Sequence, residues 1–442
     1  MQTNITYREI IRLSTPLMIS SLFNNLISLI GVAFMGRVGE VELAACGVAA
    51  LIYITMTMIP YGLSVGFQII IARRAGENNP ESIGRIFNAN LIFLMGVAIL
   101  LYAFLEFVVP VILVGRFSPE VYDAVMEYLK YRNFEIFFAV FAFTILGFYT
   151  SIGNNAIITW SAVLMLVVNV FFNYNLVFGE MGFPKMGIAG AGLASLISST
   201  AACGLNFFYL LFSKYRHQFG LFKFDKFEWD LVKSGLVISG PVVLQHLLST
   251  GTWVVFFLMI SKMGEASLAA SNVAKEVYMA LGVTTWGIAN ATNSLVSNLL
   301  GQGRHSEIFV LLKRVIIVAL GFSLSFFVFI MIWPQVFIRI FTNDESIIAL
   351  SLNPVRIVGI CLMMMAVSSV LFRAVTGTGA TRYSLLLELI TLVVYMVYVV
   401  ILIEVLKVNL TIAWTSEFVY WLVLAWLCWK YLKSGKWRQY KV

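Results

Sequence analysis

Stretches of about twenty residues with hardly a charge follow one another along this whole chain, separated by short polar breaks. A hydrocarbon layer ~30 Å thick needs ~20 helical residues per crossing, and each stretch is long enough. The composition agrees: 60% of the 442 residues are hydrophobic and 12% charged, which a water-soluble globular chain does not carry. That excludes a cytosolic enzyme. Hydropathy places helices near residues 10–35, 43–72, 86–114, 134–153, 156–178, 188–213, 234–261, 268–299, 308–333, 350–376, 383–404 and 410–432. The expected fold is an all-α integral membrane protein with twelve transmembrane helices. No A-x-A cleavage site precedes the first apolar run, so that helix is expected to be retained.

An even number of crossings puts both termini on one side, and the basic residues of the connecting segments decide which. Of the 30 Lys and Arg, twenty fall on the side of the N-terminus, among them Arg73, Arg74, Lys214, Arg216, Lys226, Arg304 and Lys441. Nine, including Arg37, Arg116 and Arg132, fall on the other, and Lys275 lies inside a helix. Both termini are therefore expected in the cytoplasm. The formal net charge of +8 is read as this topology signal and as attraction to anionic membrane lipids, so no nucleic-acid partner is expected.

The most polar stretch, Lys214 to Lys233, lies near the middle of the chain and mixes charges with aromatics, as a helix lying at the interface would. It divides the chain into a six-helix lobe at 1–213, a cytoplasmic interfacial linker at 214–233 and a second six-helix lobe at 234–442. Sliding one lobe over the other by 225 positions brings Pro16 onto Pro241, GEVELAACGVA from Gly39 onto GEASLAASNVA from Gly264, Gly62 onto Gly287 and Gly76 onto Gly301. One residue out of that register, FYTSIGNNA from Phe148 falls on FRAVTGTGA from Phe372. The chain is a tandem repeat. Six crossings per copy relate the two bundles by a pseudo-two-fold along the membrane normal, an arrangement that suits alternating access by rocking about a central cavity.

Chemistry-bearing motifs are scarce. The histidines His217, His246 and His305 are dispersed, and Cys46, Cys203, Cys361 and Cys428 show no CxxC spacing, so no metal site or disulfide scaffold is expected. GQGRHSE at Gly301 lacks the Lys and the spacing of a P-loop, which leaves an ion gradient as the energy source. An integral membrane enzyme would need convergent catalytic groups that this sequence lacks.

Proline in helix one, G-x-x-G-x-x-x-L-A-A at Gly36, G-N at Gly153, N-x-x-x-N at Asn169 and Asn173 and GIAGAGLAS at Gly187, in this order, resemble the multidrug and toxic compound extrusion (MATE) transporters over nearly the whole chain. The resemblance implies a cation-coupled antiporter of a bacterial inner membrane that expels organic, often cationic amphipathic, compounds. Such a chain needs no cofactor beyond a coupling ion, H⁺ or Na⁺, and a monomer is expected. A lipid-linked oligosaccharide flippase of the same superfamily stays open as the alternative, although Lys275 alone is mid-helix and basic, too little to hold a diphosphate.

The resemblance also points to residues. Asn169 and Asn173, four apart on one helix face, with Ser195 on the next helix, lie where relatives build a cation-responsive site; amides that merely join helices are the other reading. Relatives complete that site with a helix-one acid, but the alignment puts Gly31 there, and the acids of another subgroup fall on Ser249 and Met365. Coupling must then use other groups. Lys275, Glu276 and Glu417 are ionisable residues expected at similar depth, Lys275 pairing with Glu417 or Glu276, unless they form a structural pair near the outer interface. Glu388 carries the same ambiguity. His246, near the midplane beside Gln245 and Ser249, has an ordinary pKa of ~6.5 that suits proton exchange, or is a neutral histidine bonded to a neighbouring helix. Tyr53, Tyr278 and Trp286, with Tyr395 and Tyr398, are candidates for stacking on organic cations.

Overall fold

A computed structural model of the chain describes residues 5–224 and 228–440, so Lys226 and Lys441, counted above toward the cytoplasmic side, lie outside the described residues. Among the described residues the secondary structure is helical, with no strand. The first half carries α1 (Tyr7–Val38), α2 (Glu40–Gly76), α3 (Pro80–Ala103), α4 (Val109–Leu113), α5 (Pro119–Arg132), α6 (Glu135–Ile152), α7 (Ala156–Phe178), α8 (Gly187–Phe212) and α9 (Lys214–Phe219). The second carries α10 (Trp229–Ser261), α11 (Glu265–Gly301), α12 (Ile308–Ile332), α13 (Pro334–Ile338), α14 (Glu345–Gly377), α15 (Thr381–Val400), α16 (Leu410–Trp414) and α17 (Ser416–Ser434).

Eleven helices are long and apolar enough to cross a membrane, α3 running through a π turn into α4 and α16 joining α17 as one span each. The twelfth expected crossing is α11, whose 37 residues reach ~55 Å at ~1.5 Å each. Asn290, Asn293 and Asn298 dilute its hydropathy below that of the others. Twelve crossings in two bundles therefore stand. Leu100, Phe107 and Val111 are about 72%, 71% and 72% exposed, as side chains facing lipid tails should be.

Two details differ from the sequence reading. First, α5 was not expected: its stretch counted only as an outer connecting segment. Ser118 caps it by accepting from the Val121 amide at 3.4 Å, Pro119 opens it, and Val125, Tyr128 and Leu129 form its buried stripe. Second, Lys214–Lys233 is not one continuous helix: among the described residues α9 ends at Phe219 and α10 begins at Trp229, and Phe219 and Leu221 are buried. The Asn88 amide on α3 holds the segment, donating to the carbonyls of Gly220 (3.1 Å) and Lys223 (2.9 Å) while its oxygen accepts from the Phe222 amide at 2.8 Å. Arg85 forms a bidentate ion pair with Glu228. This close approach requires Gly84, where any Cβ would run into the Phe219 carbonyl oxygen.

The chain forms two compact units, but they do not divide at the linker. One contains the described residues of Met1–Met18 and Leu244–Val442, the other Ile19–Val243. The expected boundaries at 213 and 234 thus move into α1 and α10. These helices have 32 and 33 residues and an internal proline each, Pro16 and Pro241, so the two ends of one helix can pack with different partners. Met18 and Val243 are equivalent positions of the 225-residue repeat. The same symmetry governs the packing: a Cβ on Gly62 would lie 2.9 Å from the Cα of Val243, and one on Gly287 2.9 Å from the Cα of Met18. Only glycine admits that backbone approach.

The Ile19–Val243 unit packs Met35, Ala45, Ala49, Val125, Leu129 and Ile188 in one cluster and Leu94, Ile136 and Val140 in another. The other unit has a larger core around Val277, Tyr278, Val358, Leu362 and Met365.

Candidate functional site

Three acidic side chains are buried among the described residues: Glu135 at 5% exposure, and Glu388 and Glu417 at 2% each. A carboxyl inside an apolar bundle is costly unless it has partners, so what each one touches defines what it can do.

Glu388 sits two turns into α15, facing α10 and α17. The Ser249 hydroxyl on α10 donates to its Oε1 at 2.6 Å and the Tyr420 hydroxyl on α17 donates to the same oxygen at 2.8 Å. Its Oε2 is buried with no hydrogen-bond partner among the described residues. One turn earlier on both helices the Gln245 amide donates to the Ser384 hydroxyl at 2.6 Å, so α10 and α15 are laced by two polar rungs. Ser249 is the position at which the resemblance expects an acid. Here the hydroxyl stands on α10 and the carboxyl reaches it from α15. Arg373 lies within coulombic reach of both Glu388 and His246. His246 is half-buried on α10, next to Gln245.

Glu417 opens α17 and accepts from the Tyr395 hydroxyl at 3.3 Å. Tyr278 and Trp421 form the wall beside it, the Trp421 indole donating to the Tyr278 hydroxyl at 2.8 Å, and Trp253 stacks on Tyr278 at 5.8 Å. The rings of Tyr395 and Tyr420 meet edge-on at 5.9 Å, so the two carboxyls share an aromatic partition. Of the two partners expected for Lys275, Glu276 forms the pair and Glu417 does not. Lys275 binds its neighbour Glu276 at 3.0 Å, and their side chains are 32% and 38% exposed. The Lys275 ammonium lies 5.7 Å from the centre of the Phe257 ring on α10, whereas Glu417 is buried in the first turn of α17 beside Tyr395. Tyr278 and Tyr395 are core members at 2% and 1% exposure, and Trp286 and Tyr398 are half-buried.

In the Ile19–Val243 unit, Asn169 and Asn173 are buried on one face of α7. Asn169 donates to the Ser198 hydroxyl at 3.2 Å, and that hydroxyl donates to the Ser195 carbonyl at 2.9 Å, so Ser198 occupies the place expected of the Ser195 side chain. The side-chain carbonyl oxygens of both asparagines are buried without hydrogen-bond partners among the described residues. Gly31 has nothing within 4 Å of where a Cβ would stand.

Sequence reasoning missed the charged group of this unit. Arg132, the last residue of α5, and Glu135, in the first turn of α6, face each other at 3.1 Å, and the Ser199 hydroxyl on α8 donates to Glu135 Oε1 at 2.7 Å. The Arg132 guanidinium lies 4.4 Å from the centre of the Tyr53 ring and 5.8 Å from that of Tyr128. Burial pulls this guanidinium toward losing its proton, but Glu135 first, then the two tyrosines, hold it above the ordinary arginine value. The N-cap and apolar stripe of α5 were the available signal. Hydropathy alone assigned Arg132 to an exposed connecting segment.

Among the described residues no three His, Cys, Asp or Glu stand together as metal ligands. A cavity of about 470 Å³ at the end of α8, lined by Phe208, Tyr209, Phe212 and Lys214, involves none of these candidates.

An all-helical, twelve-crossing internal repeat with buried carboxyls is the architecture of a membrane transporter. The family model described as MatE matches residues 16–175 and again 241–401, two stretches whose starts lie 225 residues apart, as the prolines do. The chain belongs to the MatE family, the MATE transporters, and is a multi-pass membrane protein rather than an enzyme. It is 24% identical over 443 residues to a protein of Thermotoga maritima named "Probable multidrug resistance protein NorM", covering 98% of this chain and 93% of the relative. The corresponding Deinococcus radiodurans protein is 26% identical over 402 residues, 88% of this chain and 86% of its own. A multidrug resistance MATE transporter of the MOP superfamily in an outward-facing conformation has the same fold, with a TM-score of 0.89, 21% identity and coverage of 97% and 96%. So has a MOP superfamily transporter from Pyrococcus furiosus, described as having a binding pocket of reverse polarity, with a TM-score of 0.89, 21% identity and coverage of 97% and 95%.

Proposed function

We propose that this protein is an antiporter of a bacterial inner membrane, with both termini cytoplasmic, that exports organic, cationic amphipathic compounds in exchange for protons by alternating access. The names of its relatives support multidrug export, and the excess of basic residues on one side supports the orientation. Proton coupling rests on one observation: the carboxyl absent from position 249 on α10 is supplied to Ser249 from α15 by Glu388. Two hydroxyls donate to one oxygen of that carboxyl and the other oxygen is left open, so the group can exist both as a compensated carboxylate and as a proton-bearing acid. Glu417 under Tyr395 is the second proton-carrying group, and Asn169, Asn173 and His246 support the conformations between which it acts. The monomer is the working unit.

Ethidium flux in liposomes containing the purified protein tests this. Movement driven by an imposed pH gradient, absent under a Na⁺ gradient alone and lost in Glu388→Gln at unchanged protein abundance, is the expected result. Strict Na⁺ dependence would transfer coupling to the oxygens of Asn169 and Asn173, and no flux with either gradient would overturn the export of organic cations.

A further inference from the structure

The mechanism above leaves the buried group around Arg132 without a task. Its geometry is that of a binding site already filled by the protein itself. A monovalent organic cation is held by two things together, the face of an aromatic ring and a desolvated carboxylate. Tyr53 on α2 and Glu135 on α6 supply both, and both are over nine-tenths buried. The guanidinium of Arg132 takes the place of the cation, 4.4 Å from the Tyr53 ring centre and 3.1 Å from Glu135.

The fit of this occupant is incomplete. Although its Nη1 lies within ion-pair distance of Glu135 Oε2, that oxygen makes no hydrogen bond, nor do the buried Arg132 Nε and the Tyr53 hydroxyl, among the described residues. A guanidinium committed to a structural pair with a carboxylate normally meets it in a fork of two parallel hydrogen bonds. Arg132 is also the terminal residue of α5, followed by only Asn133 and Phe134 before α6, and its side chain is 22% exposed, which leaves it a way out. The side of Glu135 away from it is fixed by Ser199, which would keep the carboxyl in place once the arginine left.

We propose that Tyr53 and Glu135 form a subsite for a monovalent organic cation, and that Arg132 is its resident stand-in, displaced when the cation binds. The inference rests on the reading of this chain as an exporter of organic cations and names where one of them binds. Displacement keeps the charge near Glu135 balanced in both the empty and the loaded state, so the carboxylate is never left buried alone.

The test is equilibrium binding of ethidium to the full chain in lipid nanodiscs with no gradient, followed by fluorescence. Removing the competitor in Arg132→Gln should tighten binding by about tenfold, the equivalent of ~1.4 kcal/mol. Arg132→Lys, which keeps a charge but loses the flat face that lies on Tyr53, should fall between wild type and Arg132→Gln. Adding Glu135→Gln or Tyr53→Leu to Arg132→Gln should abolish the gain. Unchanged affinity in both Arg132 variants would make the arginine a structural staple and overturn the proposal. So would weaker ethidium binding in both, or loss of an anionic probe such as fluorescein in their place, which would mark an anion site. Should Arg132→Gln not reach the membrane, the Arg132→Lys comparison decides by itself. No gradient enters this measurement, so proton coupling through Glu388 can fail while the subsite stands, and the reverse.

Discussion

Glu417 and Gly31 carry opposite lessons about single side chains. Glu417 accepts from the Tyr395 hydroxyl at 3.3 Å, and Tyr278 and Trp421 stand beside it as further donors. Glu417→Gln keeps the shape but removes the titrating group, and gradient-driven ethidium efflux is expected to fall about tenfold, the equivalent of ~1.4 kcal/mol from a hydrogen bond to a charged group. Tyr395→Phe, which removes one donor and keeps the carboxyl, should lower it less, and equal efflux in all three proteins would make the pair structural. Gly31 faces open space, so Gly31→Asp should leave expression intact while making efflux depend more steeply on the imposed pH difference. Flux that follows the wild-type dependence would show that an acid there does not couple. Of the buried acids, Glu388 and Glu417 were legible in the sequence because they interrupt apolar runs. Glu135 was not, since it follows the charged stretch of α5 by two residues and hydropathy cannot tell a charge at a helix start from a charge in solvent. Of the two partners named for Lys275, the sequence could not choose Glu276 over Glu417 for a related reason: depth along a helix is countable, but the rotational phase that decides which side chains meet is set by packing.

At the scale of elements, glycine and capping positions govern stability. Gly84→Ala would drive a methyl into the Phe219 carbonyl and is expected to cost ~1–3 kcal/mol, as overpacking does, seen as a lower melting temperature of the detergent-solubilised protein. A melting temperature equal to that of wild type would mean the α3–α9 approach is looser than described. The N-terminus of α14 is capped by Asp344, whose carboxylate accepts from the Ser346 hydroxyl at 2.6 Å and from the amides of Ser346 and Ile347 at 2.8 and 3.4 Å. The Ser346 hydroxyl first, then these amides, lower its pKa below the ordinary aspartate value. A lowered carboxyl stabilises the fold above its unfolded value and loses that contribution as pH falls through the folded value. The protection of the Ser346 and Ile347 amides, their exchange relative to the unfolded chain at the same pH, should therefore fall only once pH drops below the usual aspartate range, and in Asp344→Ala be low at every pH. Acid-insensitive protection in wild type would remove Asp344 as the cap. The extent of α5 and α9 shows what hydropathy could not reach, because short amphipathic helices are fixed by caps and by the surface they cover rather than by apolar length.

The whole molecule is built on the repeat. Each unit takes the start of α1 or α10 from the other half of the chain, dividing at the equivalent positions Met18 and Val243. The glycines that admit these segments are equivalent too, Gly62 meeting Val243 and Gly287 meeting Met18. Gly62→Ala and Gly287→Ala should thus impair folding to a similar degree, measured as the fraction of monodisperse protein, and a large disparity would argue that the two contacts are no longer equivalent. The sequence by itself determined the twelve crossings, the repeat and the family, because a helix in lipid satisfies its backbone within its own segment and leaves a local apolar signature. Only the tertiary structure decided where the two units divide, that Glu388 stands in for an acid at Ser249, and that Arg132 lies between Tyr53 and Glu135. Those outcomes depend on which faces of helices distant in sequence meet, and in a membrane that choice is made by close packing of small residues and a few hydrogen bonds, which hydropathy does not record.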